Sequence, residues 1–120
     1  MVWEVRFHTD FDPDFHDFTE SVQDELLAKL LLLQTFGPTL GRSHVDTLQG
    51  SRYPNMKDLR FNADGGVWRV AFAFDPIRRC IVLAGANKSG MSQSLCYRRL
   101  IATADARYRN HLANTRQTGA

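Results

Sequence analysis

Residues 56–74 read Met-Lys-Asp-Leu-Arg-Phe-Asn-Ala-Asp-Gly-Gly-Val-Trp-Arg-Val-Ala-Phe-Ala-Phe. Two alternating runs flank Asp64-Gly65-Gly66, a turn whose residues tolerate positive φ, so the stretch predicts a β-hairpin. In the first strand Met56, Asp58 and Arg60 alternate with Lys57, Leu59 and Phe61. In the second, Trp68, Val70, Phe72 and Phe74 form an apolar face that must pack on something. The opposite face carries Arg69 between the small residues Val67, Ala71 and Ala73. Paired strands place Asp58 and Arg60 on that same face. Two arginines and a carboxylate with small neighbours suggest a site for a phosphate.

Working outward, Val2–His8 alternates as a strand with one buried face. Asp12-Pro13 predicts a helix start, with Asp12 as the cap and Pro13 at the first helical position. Asp17 with Glu20 suggests a second cap. Phe18, Val22, Leu26, Leu30 and Leu33 then recur at helical spacing until Gly37-Pro38. Residues 38–55 read as a loop with a short turn near His44–Leu48. Asp75-Pro76 turns the chain into an apolar strand at Cys80–Ala86. Ser92 or Ser94 caps a last helix with Tyr97, Ile101, Ala104, Tyr108 and Leu112 on one face, and residues 114–120 read as a frayed tail. The order β-α(-α)-β-β-β-α implies one α+β domain over 1–120, with about four strands in an antiparallel-dominated sheet and helices on one face.

The 120 residues allow one core. No apolar run reaches the roughly 20 residues of a membrane span. The first residues read as a strand rather than a signal segment, so a cytoplasmic protein is expected. Cys80 and Cys96 form no metal-ligand spacing and read as buried free thiols. Net charge is only +2, but residues 1–25 carry −7 and the remainder +9. Twelve of the fifteen bases are arginine, the side chain suited to planar phosphate recognition; arginine-favouring codon usage gives the same bias. The positional asymmetry suggests one basic surface for a polyanion, with an acidic flank facing elsewhere. The Leu26–Leu33 stripe is core first, although leucines all round the helix leave part of it for a protein partner to cover.

The chain resembles the RelE/ParE superfamily of type II toxins, in its HigB-like branch. The resemblance rests on Leu40-Gly41-Arg42, Leu48-Gln49-Gly50, Met56-Lys57-Asp58-Leu59-Arg60, Gly66-Val67-Trp68-Arg69-Val70, Phe74-Asp75-Pro76, Asn87-Lys88-Ser89-Gly90 and Tyr97-Arg98-Arg99-Leu100. It extends to about Leu112. It implies a RelE-like fold and, for the ribosome-dependent members, endonucleolytic cleavage of mRNA in the ribosomal A site. It also implies a cognate helix-turn-helix, HigA-like antitoxin as partner. The alternatives are a ParE-like toxin that acts on DNA gyrase without nuclease chemistry, or a decayed RNA- or protein-binding domain. The chain departs from the best-understood toxins where Met56 and Asp58 stand in place of basic residues.

RNA cleavage of this kind needs no metal or cofactor: the ribose 2′-OH attacks the adjacent phosphate, cations stabilise the charge, and the leaving 5′-oxygen takes a proton. The resemblance and strand parity make Arg69 the first candidate for the phosphate, with Arg60 beside it and Lys88 in the following loop. Each also reads as an ordinary surface charge. Asp58 is a candidate general base or orients the arginines; two arginines nearby would depress its pKa and weaken it as a base, which favours the orienting role. Strand parity sends Lys57 toward Leu59 and Phe61; a bulge re-aims it, or it works at the sheet edge, or it is not catalytic. Tyr97 reads as a half-core residue, or as a stacking or proton-donating one. Arg42, His44, Arg52, Arg98 and Arg99 are the candidates for RNA contact. His8, His16 and His111 read as surface or structural side chains.

Overall fold

The hairpin forms from β3 (Met56–Ala63) and β4 (Gly66–Phe74). At its turn Asp64 and Gly65 both adopt positive φ, 52° and 73°, the pair of conformations that matches strand twist. The register sets Arg60 opposite Arg69 and Asp58 opposite Ala71. This computed structural model describes residues 2–41, 44–87 and 92–119, with side chains as far as residue 115. Around the hairpin lie β1 (Glu4–Phe7), α1 (Phe11–Asp17), α2 (Glu20–Phe36), a single 3-10 turn (Gly37–Thr39), β2 (Val45–Thr47), β5 (Arg79–Asn87) and α3 (Gln93–Gly119).

The sheet order is β1-β5-β4-β3-β2, antiparallel except for the parallel β1–β5 pair. The α+β class and antiparallel dominance are as expected, but there are five strands rather than about four. The extra one, β2, lies in the stretch read as loop: Val45 pairs with Leu59 and Thr47 with Lys57. Three residues are too few for alternation to show in sequence.

The helices cover both faces of the sheet, not one. Leu59, Phe61, Val70, Phe72 and Val82 pack with Phe11 of α1 and Val22, Leu26, Leu30 and Leu33 of α2. On the other face Met56, Ala71, Ala73, Ile81, Leu83 and Ala84 pack under Leu100, Ala104 and Tyr108 of α3. The alanines that seemed to leave room for a ligand instead let α3 approach closely. Leu83 and Ala84 both face α3 because β5 slips register between the partners of Ala71 and Phe72.

The helix starts also differ from expectation. Asp10 precedes α1, and Pro13 sits inside the first turn, where its missing N–H has no helical partner to lose. Thr19, not Asp17, caps α2, accepting the Val22 N–H at 3.3 Å. Ser92 accepts the Leu95 N–H at 3.2 Å at the start of α3. That helix continues through residues 114–119, read above as a tail. Among the described residues no helix is long and apolar enough to cross a membrane, and both cysteines are buried and free.

Candidate functional site

The open end of the α3 face gathers Asp58 and Arg60 from β3, Arg69 from β4 and Tyr97 from α3. Arg69 donates from Nη1 to Asp58 Oδ2 at 3.2 Å and to Tyr97 Oη at 3.4 Å. Its guanidinium carbon lies 4.8 Å from the centre of the Tyr97 ring, so the same side chain makes a cation–π contact. These restraints hold Arg69 at the mouth of the site with 17% of its side chain exposed. A cleft of about 120 Å³, lined by Val67, Arg69, Ala86, Gln93, Cys96 and Tyr97, opens beside it.

Asp58 is fully buried, and its Oδ1 has no hydrogen-bond partner. Burial pushes its pKa above the ordinary 3.8, and the opposing pull of Arg69 does not cancel this. The expected depression by two arginines is therefore reversed. The physical reason is burial, which outweighs the pull of both arginines; Arg60 acts only at a distance, its Nη2 lying 3.5 Å from Asp46 on β2 in an exposed pair. The one hydrogen-bonded arginine and the more distant one together do not offset burial. Tyr97 is also pushed up, by burial first and then by the Asp58 charge, so the phenol stays neutral well into alkaline solution.

The remaining candidates divide by face. Lys57 projects from the opposite side of β3, where Nζ donates to Thr47 Oγ1 at 3.1 Å. Its strand pairs in unbroken register, so no bulge re-aims it toward Arg69. His44 is half-buried and accepts from Lys29 of α2 at 3.0 Å, also away from the arginines. Arg98 and Arg99 are exposed on α3 beside Tyr97. Arg52 is exposed farther along, where its backbone N–H donates to Asp105 of α3 at 3.0 Å. Lys88 and Arg42 lie outside the described residues.

Pattern reading passed over Asp46, Gln93 and Cys96, whose roles arise only from distant elements meeting. It also passed over a buried clasp at the other end of α3. Asp75 accepts from Arg79 Nε at 2.9 Å and from the Arg79 backbone N–H at 2.8 Å. His111 Nε2 donates to the same carboxylate at 2.9 Å. Burial raises the Asp75 pKa, but the hydrogen bonds from His111 and Arg79 outweigh it and hold the group below its ordinary value. Nearby, Arg107 joins the Asp14 carboxylate and the Leu83 carbonyl, each at 2.8 Å, tying α3 to α1 and β5. The Phe74-Asp75-Pro76 motif was the one available signal, and it reads as a turn.

The sheet carries an arginine pair on one face and helices on both sides. Residues 13–109 match the family described as Phage derived protein Gp49-like, and the chain belongs to that family. Two relatives come from Mycobacterium tuberculosis. The proposed toxin HigB2 is 42% identical over 94 residues, 78% of this chain and 46% of that protein. The proposed toxin HigB3 is 45% identical over 83 residues, 69% of this chain and 70% of that protein. The matched stretch thus spans less than half of HigB2. An arginine double mutant of the E. coli toxin RelE, solved in the free state, shares the fold with a TM-score of 0.60 at 13% identity, over 85% of this chain and 96% of that one. By these relatives the chain is HigB-like, and it shares its fold with RelE.

Proposed function

We propose that this chain is the toxin of a type II toxin–antitoxin pair, a ribosome-dependent mRNA endoribonuclease that blocks translation in the cytoplasm until a HigA-like helix-turn-helix antitoxin binds it. The supporting observation is Arg69, held by Asp58 and Tyr97 at an open cleft, with Arg60 directly across the strand pair. In this reading the 2′-oxygen attacks phosphorus, its proton passes to a base, and the P–O5′ bond breaks. The leaving 5′-oxygen takes a proton from an acid or from water, so the products are a 2′,3′-cyclic phosphate and a 5′-hydroxyl. Arg69 stabilises the charge that develops on the phosphoryl oxygens. Its pre-set orientation means that little reorganisation is needed as that charge forms. Arg60 is the second cation and exchanges its exposed carboxylate partner, Asp46, for the phosphate. Asp58 positions Arg69 from below and touches no substrate. Tyr97 fixes the other side of the guanidinium. Lys88 is assigned to the phosphate as well, and Arg98 and Arg99 of α3, with Arg52 from the loop before β3, supply a basic surface toward RNA.

The test is induction without antitoxin, with growth followed and mRNA 5′ ends mapped. Wild type, Asp58→Asn, and Arg69→Ala in the Asp58→Asn background are compared, the last chosen so that no unpaired carboxylate remains buried. New 5′ ends within translated codons are expected for wild type, lost with Arg69 and absent when initiation is blocked. Growth arrest with intact mRNA would refute the nuclease reading and favour action on DNA gyrase. Normal growth with folded protein would refute toxin activity altogether.

A further inference from the structure

The cleavage step needs a base for the 2′-proton, and the groups around the arginine pair narrow the choice. Asp58 is fully buried beneath Arg69 and does not reach a ribose. Lys57 and His44 serve the opposite side of the sheet. Burial pushes the Tyr97 phenol up, and its oxygen accepts from Arg69. Asp46 differs from all of these. It stands on β2 directly opposite Asp58, so the two side chains share one sheet face with Arg60. Its side chain is 50% exposed. Oδ1 accepts the Thr47 N–H at 2.9 Å, which fixes the carboxylate and aims Oδ2 at Arg60, 3.5 Å from Nη2. Among the described residues Asp46 and Asp58 are the carboxylates that pair with the two arginines, and only Asp46 is open to solvent.

We infer that Asp46 is the general base, taking the 2′-proton on Oδ2. The inference rests on the proposed cleavage of RNA. Three adjacent strands present Asp46, Arg60 and Arg69 in that order, at about 4.8 Å per strand. A phosphate held between the arginines therefore has Asp46 on its β2 side. In a reactive pose the 2′-oxygen stands about 3–3.5 Å from phosphorus. Oδ2 already lies at a similar distance from the guanidinium that the phosphate engages. Before substrate arrives, Arg60 occupies Oδ2. As the phosphate draws the arginine over, Oδ2 is released beside the 2′-hydroxyl, so one event loads the cation and frees the base. The 2′-O–H bond breaks as the O2′–P bond forms, and the proton goes to Oδ2. The P–O5′ bond breaks, and O5′ takes a proton from an acid or from water. In-line displacement sets that leaving oxygen on the far side of phosphorus, away from Asp46, so the same carboxylate is not the acid. Asp46 then gives its proton to the solvent that reaches it.

The experiment compares single-turnover cleavage of ribosome-bound mRNA by wild type and Asp46→Asn over a range of pH. Asparagine keeps an oxygen for Thr47 and Arg60 but takes no proton, and thermal unfolding checks that the variant keeps its fold. The saturated rate should fall by about 10²–10⁴, with the half-saturating concentration changed less than about threefold. The acid limb of the wild-type pH–rate profile should be absent from the variant. A scissile linkage with sulfur in place of the 5′-oxygen leaves without an acid, so the defect should persist on it. A variant within about threefold of wild type would overturn the inference. A loss confined to half-saturation would do the same, making Asp46 only a holder of Arg60, and a rate restored on the sulfur linkage would make it the acid instead. Each of these leaves the cleavage reading standing. Wild type that cuts no mRNA would overturn that reading and this inference together.

Discussion

Removing Arg69 should destabilise the protein through a residue that no solvent reaches. Arg69→Ala deletes the side-chain partner of Asp58, a carboxylate with 0% exposure whose second oxygen is already unpaired. Stripping one partner from a buried pair costs roughly 3–5 kcal/mol, because the remaining charge is uncompensated. Asp58 can escape by taking a proton. Holding a carboxyl of ordinary pKa 3.8 neutral at pH 7 costs about 4 kcal/mol, at about 1.36 kcal/mol per unit, which bounds the loss from above. At pH 5 the same bound falls to about 2 kcal/mol. The sign follows from the direction of the shift. Burial raises the folded-state pKa, so the neutral form is favoured on folding, and this contribution is present at low pH and lost as pH rises through the folded value. With Arg69 gone the raising is larger and the pH dependence steeper. Urea unfolding at pH 7 and pH 5 should give a loss of about 3–4 kcal/mol for Arg69→Ala at pH 7 and at most about 2 at pH 5. Arg69→Ala/Asp58→Asn should return to within about 1 kcal/mol of wild type at both. A single variant that loses under about 1 kcal/mol at pH 7, or a double variant no more stable than the single, would refute the reasoning.

Three further outcomes follow from the same geometry. Tyr97→Phe loses the hydroxyl that accepts from Arg69 but keeps the ring beneath the guanidinium, so cleavage should fall about tenfold rather than the 10²–10⁴ of a lost proton donor, as single-turnover kinetics would show. Lys57→Ala lies on the opposite sheet face and should change cleavage less than about threefold in the same assay, against the 10² or more expected of a lost acid or base. Asp75→Asn should cost about 3 kcal/mol at pH 7 in urea titrations, as expected for a broken buried network. Because the Asp75 pKa is lowered on folding, its contribution is present above 3.8 and lost as pH falls through the folded value, so variant and wild type should converge in acid.

The hairpin was legible because its determinants are local. Period-two alternation and a turn built for positive φ place Arg60 beside Arg69 with no reference to the rest of the chain. Lys57 was likewise assigned to the opposite face by parity alone. The direction of the Asp58 pKa shift was not legible: it depends on the burial of that carboxylate under α3, while Arg60 pairs with Asp46, fourteen residues away. His111 looked incidental in sequence because its partner, Asp75, lies thirty-six residues earlier.

The amino-acid sequence by itself determined the α+β class, the strand faces, the arginine pair and the family resemblance. Each depends on neighbours a few residues apart, or on motif order. Tertiary structure alone decided that α3 covers the second sheet face, that Asp58 is sealed beneath Arg69, and that Leu27 and Leu31 remain open while Leu26, Leu30 and Leu33 are buried. Burial and long-range pairing depend on which surfaces meet, and a run of leucines carries no mark of which side will meet the sheet.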